Sequence, residues 1–151
     1  MIRVRWFVWA LGVTLLTVAY FRGELRELTI SFCLGMIGGF FFDIVGVKMM
    51  NLWYYSRQPF LSWKYFSIVV SAWGVFGVAI NLLWEWIIAL MGPSLRVSLS
   101  AFIVVTLILL LFHELPNLKA RNWKYNTPAW LVIIGWFPMV MLFRLIFIVI
   151  R

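Results

Sequence analysis

The chain has 151 residues, 65% hydrophobic and only 12% charged, with a mean hydropathy of +1.01. That charged share is about half of what soluble domains carry, too little polar surface to cover a water-soluble fold, so the apolar excess must face lipid. The net charge of +8 sits singly or in small groups between apolar runs, which argues against nucleic-acid binding and for residues that orient a membrane protein.

The expected fold is all-α, a polytopic transmembrane helical bundle of about five spans in a single membrane domain covering residues 1–151. The first apolar run, 4–21, follows Arg3 and Arg5. It is long for the apolar core of a signal peptide, and Ala19-Tyr20-Phe21 leads straight into Arg22 without a small-x-small cleavage site, so it reads as a retained span. After the short link 22–27 comes the second run, 28–47. It holds Cys33, the sole cysteine, which excludes an intrachain disulfide and reads as a small buried thiol.

A longer segment, 48–64, is rich in Trp and Tyr and broken by Pro59. The third run, 65–91, is long enough to tilt or to pass the interface. Gly92-Pro93-Ser94 is a turn signal. The fourth run, 98–112, is short and needs Leu95–Val97 or His113 to complete a crossing. A second long loop, 113–128, carries Pro116 and Pro128, and the fifth run is 129–150. Trp53, Tyr54, Tyr55, Trp63, Trp123, Tyr125 and Trp130 flank the two long loops as headgroup-level anchors.

Lysine and arginine set the expected orientation. One side holds Arg3, Arg5, Lys48, Arg57, Lys64, Lys119, Arg121 and Lys124; the other holds Arg22, Arg26, Arg96 and Arg151. The N-terminus and both aromatic loops therefore belong in the cytoplasm, and a cell membrane is the expected location. There is also a faint repeat. With Asp43 aligned to Glu114, Asn51 falls on Asn122 and Tyr54 on Tyr125, while Trp53 and Trp123 come within one position of each other. Each half would be an inward helix ending in an acid, an aromatic loop and an outward helix, a parallel repeat about an axis along the membrane normal. Interfacial selection for Trp, Tyr and Pro is the competing explanation.

A charge in hydrocarbon costs at least ~2.5 kcal/mol at mid-span, so the ionisable groups in the spans are the candidate sites. They are Asp43, Glu85, His113, Glu114 and Arg144. Ser31, Gly35, Gly39 and Asp43 recur every four residues and form one helical stripe, in which the two glycines let another helix approach closely. Gly74, Gly77, Asn81 and Glu85 form a second such stripe, with Asn81 one turn from Glu85. Glu85 and Arg144 lie at similar depth from the outer ends of their spans, so pairing would remove most of the cost of both. Snorkelling of Arg144 is the alternative. His113 and Glu114 end the fourth span at the depth of Asp43, where the three could handle a proton. Adjacent His-Glu lacks the spacing of a metal motif, so neither metal nor cofactor is implied.

With Asp43, Trp53-Tyr54-Tyr55 and the second acid-to-aromatic segment in view, the chain resembles the lycopene-cyclase-type membrane proteins of carotenoid biosynthesis, over residues 23–59 and less fully over 85–128. The Pro-x-Glu-Glu element of that family is absent: Glu24 and Glu27 are separated and Glu85 stands alone. The resemblance implies repeated hairpins and acid–base chemistry on a polyene. Asp43 and Glu114 would be acid and base, with Glu85 in reserve and aromatic faces steadying a carbocation.

Three functions stay open. The first is a non-catalytic subunit or scaffold that packs against a membrane protein partner or its own copies. The second is an enzyme acting on an isoprenoid or lipid in the bilayer, with Asp43, Glu114, His113 and Glu85 as catalytic groups. The third is a small proton-coupled carrier using the same acids.

Overall fold

The computed structural model describes residues 2–57, 59–119 and 121–150; the side chains of residues 2–9, Leu11 and Phe112 lie outside the description. The orientation count therefore rests in part on groups not described, namely the side chains of Arg3 and Arg5, and Arg151.

Helix α1 runs Ile2–Arg22 and α2 runs Leu25–Asp43, continuing through a wider π-helical turn, Ile44–Met49. Between them Gly23 takes φ +70°, the left-handed geometry that glycine adopts at least cost. Strand β1 is Trp53–Tyr55. Helix α3 begins at Trp63–Tyr65, passes through a π turn at Phe66–Val70 and continues as Ser71–Met91. Its N-cap is Ser62, whose Oγ accepts from the Tyr65 backbone N–H at 3.2 Å, satisfying one of the unpaired donors of a helix start. It stops where Gly92 takes φ +84°. Ser94 caps α4 by accepting from the Val97 N–H. Helix α4 covers Leu95–Leu109, widens over Leu110–Glu114 and ends with Leu115–Lys119. Strand β2 is Trp123–Tyr125 and α5 is Ala129–Ile150.

Three of these helices, Leu25–Met49, Trp63–Met91 and Ala129–Ile150, are long and apolar enough to cross a membrane, and Leu95–Leu109 is apolar but shorter. The sequence placed the second and fourth runs at 28–47 and 98–112; the helices begin earlier and run on past the acids. Two expectations are corrected. The aromatic loops are not plain loops, because β1 and β2, three residues each, pair as a two-stranded antiparallel sheet on an otherwise helical fold. Cys33 is exposed rather than buried.

The main core lies between α3, α4 and α5. Trp73, Phe76, Ile80 and Trp84 of α3 meet Ala101, Val105 and Leu109 of α4 and Trp136, Met139, Val140 and Phe143 of α5. A smaller cluster of Ala19, Leu28 and Val78 holds α1 to α2 and α3. Helices α2 and α3 make the closest approach. A Cβ on Gly35 would collide with the Trp73 carbonyl, and one on Gly77 with the Ser31 carbonyl. Small-residue stripes of this kind are how helices gain van der Waals contact where lipid removes the hydrophobic drive.

Gly77→Val should therefore destabilise the protein by about 1–3 kcal/mol through overpacking, read as a lower unfolding midpoint in detergent. Gly135→Ala is the control: nothing lies within 4 Å of a Cβ there, so the change should leave the midpoint unaltered or raise it slightly.

Candidate functional site

Asp43 is fully buried at the end of regular α2. A carboxylate without water must find donors or neutralise, and three aromatic donors supply them. The Tyr55 hydroxyl donates to Oδ1 at 2.7 Å, the Tyr65 hydroxyl to Oδ2 at 2.7 Å and the Trp73 indole N–H to Oδ2 at 3.1 Å. Tyr55 comes from β1, whereas Tyr65 and Trp73 come from α3. Burial, and then the neighbouring carboxylate, push the Tyr55 phenol well above its ordinary value of 10, so it stays a donor at physiological pH.

Glu114 repeats the arrangement at the end of the π turn in α4. It is 3% exposed and accepts from the Trp123 indole at 3.0 Å and from the Tyr125 hydroxyl, both on β2. Each acid thus ties the strand that follows it to its own helix. The two clamps touch where the Tyr55 and Trp123 rings meet edge to face, 5.9 Å between centroids.

The strand register relates the halves. Trp53 faces Tyr125, Tyr54 faces Lys124 and Tyr55 faces Trp123. A local two-fold axis between Tyr54 and Lys124 carries Trp53 onto Trp123 and Tyr55 onto Tyr125, each pair 70 residues apart in the sequence. The flanking bonds obey it: Ser56 N–H donates to the Asn122 carbonyl as Asn126 N–H donates to the Leu52 carbonyl. Further into the bundle, Trp73 and Trp136 stack at 5.4 Å, and Arg144 Nη1 donates to Asn81 Oδ1 at 3.3 Å. These two pairs share a spacing of 63 residues, as expected if α3 and α5 correspond about the same axis. The alignment made on the acids is one residue out of step in the strands, because Asp43 to Trp53 is one residue longer than Glu114 to Trp123.

His113 lies under this end of the core. Its ring stacks on Phe76 at 4.1 Å and meets Trp73, Trp123 and Trp136 edge-on at 6.4, 5.2 and 5.7 Å. Asn117 donates from Nδ2 toward His113 Nδ1 at 3.3 Å and accepts from Asn122 Nδ2 at 2.6 Å. The three π turns among the described residues adjoin this cluster: Asp43 precedes one, Tyr65 precedes another and Glu114 closes the third. Such turns are rare and concentrate at functional sites.

Glu85 does not join the cluster. It pairs with Arg144, whose Nη2 lies 2.6 Å from Glu85 Oε1. Arg144 is 5% exposed, beside the Trp84 and Phe147 rings at 5.4 and 5.7 Å. Asn81 extends this second network by donating to Ser31 Oγ at 3.2 Å. Of the sequence candidates, then, Asp43, His113 and Glu114 gather at one end, while Ser31, Asn81, Glu85 and Arg144 form a separate polar layer between α2, α3 and α5. The glycines Gly35, Gly39, Gly74 and Gly77 pack helices against each other or against ring side chains. Tyr65, Trp73, Trp136 and Asn117 were not singled out from the sequence. A signal existed for the two tryptophans: an indole well inside an apolar run must place its N–H somewhere, and acids are the scarce acceptors there.

Among the described residues, no group of three His, Cys, Asp or Glu could hold a metal ion. No family model, curated protein or solved structure matches the chain.

Two outcomes follow from this geometry. Asp43→Ala leaves three buried donors without an acceptor, at about 1–3 kcal/mol for each such group. It should lower stability strongly and speed hydrogen exchange at the β1 amides, whereas a substitution at exposed Tyr54 should do neither. Arg144→Met removes the buried guanidinium that pairs with Glu85 and should destabilise the protein by about 2 kcal/mol, part of it shared with Glu85→Met, as read in a double-mutant cycle.

Proposed function

We propose that the chain is an integral membrane protein of five spans that serves as a non-catalytic subunit or scaffold. Three helices have the length and apolarity to cross. The 21 residues of α1 and the continuation of α4 to Lys119 supply the length for two more. On this reading the axis relating the halves runs along the membrane normal, and the aromatic sheet lies at the cytoplasmic face with the N-terminus. The observation that carries the non-catalytic reading is that both carboxylates are spent on the fold. Each is buried and accepts from a phenol and an indole, so removing either donor for catalysis would undo a loop anchor.

One observation favours a second reading, an enzyme acting on an isoprenoid or lipid like the lycopene-cyclase-type proteins. Asp43, Glu114 and His113 share one end of the bundle with the ring faces of Trp73, Trp123 and Trp136, which would attract a carbocation. Asp43 and Glu114 would then serve as acid and base.

Comparison of membrane lipid extracts from cells with and without the chain separates the two. The subunit reading expects unchanged isoprenoid and lipid profiles, and a companion protein in fixed ratio after purification in mild detergent. A profile that changes with the wild-type chain and reverts with Glu114→Gln, while that variant still folds, would overturn it. For topology, single cysteines replacing Arg57 and Arg121 in a Cys33→Ser background should react with impermeant thiol reagents from the cytoplasmic side, and one replacing Arg96 from the other side.

A further inference from the structure

A groove of about 320 Å³ runs between α1, α2 and α3, walled by Leu16, Phe32, Ile68, Ser71, Val75 and Val78 among others. It opens outward past Val13 and Leu16, which are 63% and 55% exposed. The hydroxyls around it are not available to a polar guest as donors. Thr17 and Thr29 donate to the carbonyls of Val13 and Leu25, and Ser67 and Ser71 to those of Lys64 and Phe66, all within their own helices. Its wall is therefore chemically a hydrocarbon surface, open to the side.

Both ends of the groove approach charge: at one, exposed Arg26 lies one turn before Thr29 but beside Glu27 and the Arg22–Glu24 pair, so the charge there is mixed; at the other it is cationic. Ser67 is on its wall, and exposed Lys64 lies one turn before it on α3. This end of the bundle also bears Lys48, Arg57, Lys119, Arg121 and Lys124, while its two acids, Asp43 and Glu114, are buried beneath aromatic donors. The exposed side-chain charge at that end, among the described residues, is wholly positive. An apolar trough ending at a cationic rim matches one occupant, a membrane lipid with an anionic headgroup. Its acyl chain would lie along α1–α3 and its phosphate beside Lys64.

We infer that the groove between α1, α2 and α3 holds an anionic phospholipid, with Lys64 recognising the headgroup. This needs the chain to sit in a bilayer but is independent of whether it acts as a subunit or an enzyme.

The test is native mass spectrometry of the delipidated full chain in mild detergent, titrated with phosphatidylglycerol or phosphatidylcholine of identical acyl chains. The wild type should hold one phosphatidylglycerol in preference to phosphatidylcholine. Lys64→Glu should cut the phosphatidylglycerol adduct by about fivefold or more, the weight of one surface lysine near anionic lipid, and spare the phosphatidylcholine signal. Thr29→Trp, placed on the exposed rim so that folding survives, should reduce both adducts. Equal binding of the two lipids by the wild type overturns the inference, as does an adduct indifferent to both substitutions. A wild-type dimer that Thr29→Trp converts to monomer, with no lipid adduct in either, would give the groove to a second copy and also overturn it. Loss of the chain from the membrane fraction would instead count against the membrane reading itself.

Discussion

The structure depends on a solvation problem: two carboxylates sit where no water reaches them. Apolar surroundings cannot supply donors, and an ion pair would bring in a second charge to desolvate. Tyrosine and tryptophan solve it differently. Each brings one donor on a large apolar body, so the ring can lie in the core while its O–H or N–H turns to the acid. Asp43 gathers Tyr55, Tyr65 and Trp73 in this way, and Glu114 gathers Trp123 and Tyr125. Because the donors come from strands and following helices, satisfying the charge also fixes the connections. The π turns beside both acids belong to the same adjustment: a widened turn changes which way a side chain and its successors point.

The polar layer further along the helices is handled by a charged pair. Arg144 and Glu85 neutralise each other, and Asn81 bridges them to Ser31 on α2. Here the close approach of α2 and α3 at Gly35 and Gly77 decides what fits, since Asn81 lies one turn beyond Gly77 and reaches α2 only because the backbones nearly touch. One end of the bundle is thus tied by aromatic donors to carboxylates and the opposite half by a salt bridge, and α3 takes part in both.

The bundle character was legible because composition and run length respond directly to the solvent. The depth match of Glu85 with Arg144 could be read because both sit at countable distances from span ends. The stripes Gly35–Gly39 and Gly74–Gly77 could be read because helical period is fixed, although nothing in the spacing alone says that they face each other. The likeness of the two acid-to-strand segments was visible only as scattered coincidences, since the one-residue difference between acid and strand breaks any single alignment. The strands themselves were hidden. Three residues are too few for a period-two pattern, and Trp and Tyr at a membrane surface already have another explanation. Helix ends at Leu25 and Leu95 ran beyond the apolar windows because polar residues such as Arg26, Glu27 and Arg96 continue a helix without adding hydropathy.

The ladder between β1 and β2 has a consequence for assembly. Asn51 and Asn126, bonded side chain to side chain at its margin, are 75 residues apart. A ribosome delivers the first hairpin long before the second, so β1 emerges with its outward amides unmatched and its Tyr55 ring without Trp123 to lean on. Closing so long a loop costs entropy that only the finished contacts return. The first half must therefore wait as an incomplete structure, open to capture by a chaperone or by the wrong strand, until the last two helices are made and the sheet can zip shut.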